Sequence, residues 1–319
     1  MKIVFFGSGQ IGLPSLSALA ESADIELAHI FTQPARQAGR KRKPAPTPVA
    51  AWAADNNIPF TEAENINSAD TLEEIASCGA ELLVVIAFGQ KIGNEVIALF
   101  EKGAINVHTS LLPKYRGAAP VNRAVMNGER ETGISIITLA EKMDAGEVLA
   151  QSAIPINKFD TAEDVHDKLA ELAPKVLLDT IAKIEAGTAV YQKQDESKVT
   201  FAPKLKKSDG LIDFSESASI IAAKVRGLWP WPGAQVDYFS EKTQRTCRVT
   251  IAQAHVIAAK TYSEKIGTLD NDLDVICGKD CLKILKLKPA GKNVMAFQDF
   301  VNGRQTAPGD KFLKIQEDA

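Results

Sequence analysis

The sequence predicts an α/β domain followed by a small β-barrel domain. From residue 1 to about residue 187, short apolar runs alternate with amphipathic stretches, a pattern typical of a mostly parallel sheet covered by helices on both faces. After about residue 208, short β-rich runs follow one another between turn residues, which favours a small barrel. A chain of 319 residues is long enough for both domains.

In the first domain, apolar runs predict the strands and the amphipathic stretches after them predict the helices. The strands are expected at residues 3–6, 25–31, 82–86 and 105–107, and the helices at residues 13–21, 49–56, 92–100 and 119–126. A hairpin is expected at residues 133–156, followed by a helix at residues 162–185 that Pro174 kinks or interrupts.

In the second domain, a helix is expected at residues 218–226, with strands at residues 234–238, 247–254, 274–276 and 283–288. Between the domains, periodicity fades into polar and basic residues. We therefore set the domains at residues 1–188 and 208–319, with a linker at residues 189–207.

Composition limits the possible functions. The formal net charge of −3 argues against a protein coated with positive charge, so contact with a nucleic acid requires a local basic patch. The four cysteines are scattered and lack a paired motif, so neither a disulfide framework nor a metal site is predicted. The chain begins with an apolar strand rather than a signal peptide, and no apolar run reaches membrane-spanning length, so a cytoplasmic protein without membrane contact is expected.

The most informative motif follows the apolar strand at residues 103–105. Asn106 and His108 come at the end of this strand, two residues apart, and therefore point the same way. Ligands of open α/β sheets bind at this edge. An amide can donate to a developing oxyanion, and an imidazole exchanges protons near neutral pH. The alternative is that Asn106 closes the strand and His108 is a satisfied loop histidine.

A second motif lies about thirty-five residues further on. Asp144 occupies a tight turn between the two apolar runs of the predicted hairpin, so that the hairpin tip presents its carboxylate. Aspartate is also common in turns because it makes local hydrogen bonds. Taken alone, Asp144 therefore distinguishes poorly between a functional and a structural role.

The order of these motifs resembles that of the formyltransferases that use 10-formyltetrahydrofolate. The motifs are Asn106, His108, the Ser110-Leu111-Leu112-Pro113 run and Asp144. Further motifs spread over the chain are similar to those of the methionyl-tRNA formyltransferases. They are Phe31-Thr32-Gln33-Pro34, Gly117-Ala118-Ala119-Pro120, Ala202-Pro203-Lys204-Leu205, Trp229-Pro230-Trp231-Pro232-Gly233 and Pro289-Ala290-Gly291-Lys292. The resemblance covers essentially the whole chain.

The resemblance implies a Rossmann-like catalytic domain and an OB-like second domain that binds tRNA. It implies transfer of a formyl group from 10-formyltetrahydrofolate to the α-amine of initiator methionyl-tRNA, by a monomer that needs no metal. The catalytic residues would be Asn106, His108 and Asp144. The residues implied to line the folate slot are Ile86, Ala87, Phe88, Gly89, Ser110, Leu111, Leu112 and Pro113.

Residues 34–48 form a connection that is unusually long and rich in proline for a compact domain, and such connections tend to be functional or disordered. Its four consecutive cations, Arg40 to Lys43, would repel one another unless phosphates neutralise them. This favours a nucleic-acid contact over a merely solvated loop. The resemblance implies that this segment grips the acceptor arm of the tRNA, although Ala35 departs from the family pattern. The predicted tRNA-binding residues are Arg36, Arg40, Lys41, Arg42, Lys43, Lys204, Lys206 and Lys207.

Two alternative functions remain open. The Gly7-Ser8-Gly9-Gln10-Ile11-Gly12 turn matches the dinucleotide fingerprint, but the second strand ends in Thr32-Gln33-Pro34 without the acidic residue that would hold an NAD ribose. An NADP-dependent oxidoreductase would instead have to hold the extra phosphate of NADP with nearby cations, namely Arg36, Arg40 and Lys41. A formyltransferase acting on a nucleotide-sugar amine would share the three catalytic residues, but would leave the basic segment and the second domain unexplained.

Overall fold

The computed structural model describes residues 1–38, 43–258 and 265–316. The chain divides into two compact units. Unit 1 comprises residues 1–120, 131–155 and 166–202, and unit 2 comprises residues 121–130, 156–165 and 203–319. Within the described ranges, no helix is both long and apolar enough to cross a membrane.

Unit 1 is built on a seven-stranded sheet with the order β5-β2-β1-β6-β7-β8-β9. The strands are β1 Lys2–Gly7, β2 Glu26–Thr32, β5 Phe60–Glu62, β6 Leu82–Ile86, β7 Ala104–His108, β8 Glu131–Thr138 and β9 Val148–Pro155, and β3 Arg36–Ala38 pairs with β4 Lys43–Ala45 in a separate hairpin. The first five strands are parallel, whereas β8 and β9 are antiparallel additions. Strand order reverses between β1 and β6, and ligands of α/β proteins bind beyond the carboxyl ends of strands at such a point.

The helices of unit 1 cover this sheet. They are α1 Leu13–Glu21, α2 Pro48–Asp55, α3 Ala69–Ser77, α4 Asn94–Ile97 and, from residue 166 onward, α6 Ala162–Glu185. All five residues of β6 are buried apolar side chains, as a central parallel strand requires. The prediction of an α/β domain is confirmed.

Several elements of unit 1 differ from the sequence-based expectation. Helix α6 runs through Pro174 without interruption, with buried side chains such as Ala173 and Leu177 on either side of the proline, and a kink there stays a prediction. The short edge strand β5 and helix α3 were not predicted. Strand β5 has only three residues, two of them exposed, so its sequence contains no apolar run. Helix α4 is shorter than expected and covers only Asn94–Ile97.

Unit 2 is an antiparallel sheet with the order β12-β13-β11-β10-β15, and β14 pairs with β13. Its elements are α5 Pro120–Met126, α7 Ala218–Leu228, β10 Ala234–Ser240, β11 Arg245–Ile257, β12 Val275–Ile276, β13 Cys281–Pro289, β14 Met295–Ala296, α8 Phe297–Arg304 and β15 Lys311–Leu313, with α5 beginning in unit 1 at Pro120. The predicted small barrel is confirmed.

The two edges of this sheet are joined by residues 267–269. Leu269 bridges to Val275 of β12, and Thr268 bridges to Lys311 of β15. The Phe312 N–H also donates to the carbonyl of Gly267 at 2.7 Å. These contacts nearly close the sheet into a barrel, inside which the Tyr238 ring packs against Phe312.

We predict that Gly267→Ala destabilises unit 2 more than Gly291→Ala does. Both glycines have positive φ, +82° and +73°, so each alanine carries a conformational cost of about 1–2 kcal/mol. A Cβ at Gly267 would lie 2.6 Å from the Phe312 carbonyl oxygen, whereas a Cβ at Gly291 would have no heavy atom of the described residues within 4 Å apart from its chain neighbours. The clash at Gly267 should therefore add about 1–3 kcal/mol. Urea unfolding monitored by tryptophan fluorescence measures the difference, and equal losses would contradict this account of barrel closure.

Candidate active site

The carboxyl end of β7 brings two of the predicted catalytic residues to the sheet edge. Asn106 and His108 lie two residues apart in this strand, where they pair with Ile137 and Ser135 of β8. Asn106 is half-buried, and no group in the described part of the chain hydrogen-bonds its side-chain amide. Its amide is therefore available to a ligand.

His108 and Asp144 form a close, nearly buried pair. The imidazole Nδ1 lies 3.6 Å from the carboxylate Oδ2, and the two side chains are only 6% and 13% exposed. The other ring nitrogen, Nε2, lies 3.0 Å from the Tyr115 carbonyl oxygen. A carbonyl only accepts hydrogen bonds, so Nε2 carries the proton and the neutral ring presents an unprotonated Nδ1 to Asp144.

Burial lowers the pKa of His108 below its ordinary value, while the Asp144 carboxylate and the hydrogen bond to Tyr115 oppose that shift. Loss of solvation disfavours the imidazolium, and the adjacent negative charge partly restores it. His108 is therefore neutral at neutral pH and can take up a proton on Nδ1 beside a carboxylate that stabilises the resulting charge. In the described ranges, no group of three or more His, Cys, Asp and Glu side chains could hold a metal ion.

The carboxylate of Asp144 is held in place by the loop after β7. The Gly117 N–H donates to Asp144 Oδ2 at 2.8 Å. Asp144 itself has a left-handed φ of +54°, and non-glycine residues in this region tend to occur where the surrounding structure enforces the conformation. Gly146 is required in this turn because a Cβ there would lie 1.7 Å from the Thr138 carbonyl oxygen.

The loop of Ser110, Leu111, Leu112 and Pro113 is fixed by two side chains that sequence reasoning missed. The Ser135 hydroxyl accepts from the Leu112 N–H at 3.1 Å and donates to the Ser110 carbonyl at 2.6 Å. The Gln151 amide donates to both the Leu112 carbonyl and the Ser135 hydroxyl at 2.8 Å. Both side chains lie inside predicted hairpin strands, so nothing in the local sequence marks them as loop supports.

The other predicted folate-binding segment follows β6. Ile86 and Phe88 are buried, whereas Ala87 and Gly89 are exposed, and both exposed residues have positive φ. The Phe88 carbonyl accepts from the Ser8 hydroxyl and from the Gln33 amide, both at 3.2 Å. The turn after β1 and the end of β2 thus hold this segment, a role that the sequence did not indicate for Ser8 or Gln33.

The glycine-rich turn after β1 serves close packing. A Cβ at Gly7 would meet the Phe5 ring at 2.4 Å and the Ile86 carbonyl at 2.9 Å, and one at Gly12 would meet Ile86 at 3.4 Å. The end of β2 presents Thr32 and Gln33, neither of which supplies the acidic side chain that an NAD site needs.

The predicted tRNA-binding cations occur in both units. Arg36 lies exposed in the β3–β4 hairpin and donates to the Gln33 side chain at 2.6 Å, and Lys43 begins β4. Arg40, Lys41 and Arg42 lie outside the described residues. In unit 2, Lys204, Lys206 and Lys207 are exposed. The long connection predicted at residues 34–48 therefore contains the β3–β4 hairpin.

Residues 192–202, which we call the strap, complete the site although they fall within the predicted linker. Gln192 bridges to Val148 of β9, and the Tyr115 N–H donates to the Thr200 hydroxyl at 2.9 Å. The Gln194 side chain contacts the Asp144 turn and Arg116. These partners are distant in sequence, so composition alone indicated only a polar connection.

Comparison with known proteins agrees with this architecture. A family model described as "Formyl transferase" matches residues 1–181, and one described as "Formyl transferase, C-terminal domain" matches residues 204–305. Among solved structures, the chain is similar to the sugar 3N-formyl transferase WlaRD, described in the presence of dTDP and 5-N-formyl-THF, with a TM-score of 0.64 and 17% identity, covering 92% of this chain and 99% of that one. At this identity the likeness establishes the fold alone.

Relatives of known name match the chain along nearly its whole length. A methionyl-tRNA formyltransferase from Coxiella burnetii is 39% identical, covering 98% of this chain and 97% of the relative. Another, from Methylobacillus flagellatus, is 37% identical, covering 98% and 99%. Because both family models and these full-length relatives agree, the chain belongs to the methionyl-tRNA formyltransferase family of formyltransferases.

Proposed function

We propose that this protein transfers the formyl group of 10-formyltetrahydrofolate to the α-amine of initiator methionyl-tRNA, giving formylmethionyl-tRNA and tetrahydrofolate. The observation that carries the proposal is the nearly buried His108–Asp144 pair at the carboxyl end of β7, beside the available amide of Asn106. Acyl transfer to an amine needs a proton acceptor and an oxyanion donor close together. Full-length relatives that carry this activity in their names support the same reaction.

In the first step, the neutral α-amine attacks the formyl carbon and the carbonyl oxygen gains negative charge. An α-amino group titrates near neutral pH, so enough of it is neutral to react. The Asn106 amide supplies a donor for the oxyanion. The Nε2 proton of His108 is already donated to Tyr115, so Asn106 is the better candidate for this role.

In the second step, the amine nitrogen loses a proton and the folate N10 gains one as the bond from the formyl carbon to N10 breaks. The unprotonated Nδ1 of His108 can accept the amine proton, because Asp144 stabilises the imidazolium that forms. The same nitrogen can then deliver the proton to N10, so no proton is left over. In this account Asp144 orients His108 and stabilises its charge.

The formyl donor is proposed to bind along the two segments that flank this edge. One contains Ile86, Ala87, Phe88 and Gly89, and the other contains Ser110, Leu111, Leu112 and Pro113. Exposed backbone at Ala87 and Gly89 lies beside buried apolar side chains, and a flat heteroaromatic ring can use both. Fixed loops favour binding because less conformational freedom is lost.

The tRNA is proposed to contact the cations of both units: Arg36, Arg40, Lys41, Arg42, Lys43, Lys204, Lys206 and Lys207. In a chain of net charge −3, such local clusters are the available partners for phosphates. That the enzyme is a monomer stays a prediction.

The two alternative functions are less well supported. The glycine turn packs its glycines against Phe5 and Ile86, and no acidic side chain ends β2, which weakens the case for a nicotinamide enzyme. The sugar formyltransferase structure shares only the fold at 17% identity, whereas the two full-length relatives described above are methionyl-tRNA formyltransferases at 39% and 37% identity.

We predict that replacing Asn106, His108 or Asp144 by Ala lowers kcat by about 10² or more, as loss of an oxyanion donor or acid–base group typically does. Affinity for tRNA should change little, because none of the three is a proposed phosphate contact. Glu141→Ala is the matched control, since it removes an exposed carboxylate from the same connection between β8 and β9. A variant of the three that keeps full turnover would remove its residue from the mechanism.

The pKa of His108 predicts the acid limb of the pH profile. His108 must be neutral to accept the amine proton, and burial lowers its pKa, so its contribution to the fall in kcat should lie below about pH 6.5, beneath the titration of the substrate amine itself. In Asp144→Asn the limb should move to still lower pH, because the carboxylate that raises the His108 pKa is gone. The substrate amine titrates in the same way with both enzymes, so a difference between the wild-type and Asp144→Asn profiles reports on His108. A limb that stays fixed would exclude His108 as the proton acceptor.

The basic segment predicts the salt dependence of tRNA binding. Changing Arg40 and Lys41 to Ala should weaken binding and flatten the plot of log affinity against log salt by roughly 0.7 to 0.9 per lost phosphate contact. Folate affinity should not move. Changing Lys175 and Lys183, two exposed lysines of α6, alters the net charge equally and is the control. Equal slopes in the wild type and the Arg40/Lys41 variant would refute the contact.

A further inference from the structure

We propose that Gln194 is a positioning residue for Asp144, held in turn by the buried guanidinium of Arg116. The inference rests on the proposed function insofar as Asp144 acts on His108 during formyl transfer. It assigns a catalytic support role to the strap, a segment whose sequence indicates only a polar connection.

The Gln194 amide uses all of its hydrogen-bonding groups at this turn. Its Nε2 donates to the carbonyl oxygens of Asp144 and Gly146, both at 2.8 Å. Its Oε1 accepts from Arg116 Nε at 3.1 Å and from an Arg116 terminal nitrogen at 2.9 Å. A primary amide has two N–H groups and one carbonyl, so its whole polar end is committed to linking Arg116 with the Asp144 turn.

Arg116 is a rigid anchor for this link. It is only 5% exposed, its N–H donates to the Thr200 carbonyl at 2.9 Å, and its carbonyl accepts from the Ala202 N–H at 2.7 Å. The guanidinium also pairs with Glu196 at 2.7 Å. The main chain and the side chain of Arg116 are therefore both fixed by the strap.

Asp144 is thus held from two sides by adjacent residues of one loop. The Gly117 N–H binds its carboxylate, while Arg116, through Gln194, binds the carbonyls of its turn. Asp144 has a φ of +54°, a left-handed conformation that is sparsely populated by non-glycine residues and costs free energy unless contacts offset it. Without the donors of Gln194, this turn can relax and carry the carboxylate away from His108 Nδ1.

Gln194→Glu separates the two halves of the link. A carboxylate at this position still accepts from Arg116, but it has no N–H groups and would face the carbonyls of Asp144 and Gly146 with like partial charge. The variant therefore keeps an acceptor for Arg116 and removes the support of the turn, while adding one negative charge there; Gln194→Met removes the same donors without that charge. Lys198→Gln is the matched control, because it also changes the net charge by −1 within the strap, at a lysine whose side chain is 72% exposed.

The experiment measures kcat, both KM values and the pH profile of kcat for the wild type and these variants. In Gln194→Glu we expect kcat to fall at least tenfold, KM for folate and tRNA to stay within twofold, and the acid limb to move to lower pH. Lys198→Gln should match the wild type. An unchanged kcat and acid limb in Gln194→Glu, or the same loss in Lys198→Gln, would overturn the proposal.

The His108 titration, followed by NMR, distinguishes failure of this proposal from failure of the proposed function. If the wild type formylates no methionyl-tRNA, the proposed function fails, but a lower His108 pKa in Gln194→Glu would still support positioning of Asp144. An unchanged His108 pKa would overturn the positioning role whatever the activity. Should Gln194→Glu not fold, Gln194→Met, which has a similar length and no N–H donors, replaces it in both measurements.

Discussion

The site depends on a nearly buried imidazole that faces a carboxylate on one side and a backbone carbonyl on the other. Because His108 is nearly buried, its Nε2–H needs a protein acceptor, which the Tyr115 carbonyl supplies, and its Nδ1 lies 3.6 Å from the Asp144 carboxylate. This requirement explains much of the surrounding structure. The loop after β7 must bring the Tyr115 carbonyl back onto the ring, and the turn after β8 must carry Asp144 to the same place at a left-handed φ.

The competition between burial and the Asp144 charge decides what His108 can do. Burial is the larger influence and lowers its pKa, so the resting ring is neutral. The carboxylate keeps the charged form accessible during the reaction, because it stabilises the imidazolium in a nearly buried site. A histidine in this state accepts and returns a proton readily, and the same arrangement leaves oxyanion stabilisation to Asn106, whose side-chain amide is available.

The sequence predicted the parts of the site that have a local signal. Asn106 and His108 follow from strand alternation, and Asp144 follows from a turn between two apolar runs. Gln194, Ser135 and Gln151 escaped prediction because their partners lie 16 to 78 residues away along the chain, and a polar side chain in a strand or linker does not indicate such a partner. Pro174 does not interrupt helix α6 for a related reason, since burial on both sides of the proline outweighs one lost helix hydrogen bond.

The most direct test of this account is the ionisation state of His108 itself, measured by NMR of the nitrogen-15-labelled imidazole in the wild type and in Asp144→Asn. We predict that the resting ring carries its proton on Nε2, that its pKa lies below about 6.5, and that Asp144→Asn lowers this pKa further. The wild-type ring should remain neutral at neutral pH. A ring protonated on Nδ1 in the resting enzyme, or a pKa that Asp144→Asn leaves unchanged, would contradict the account.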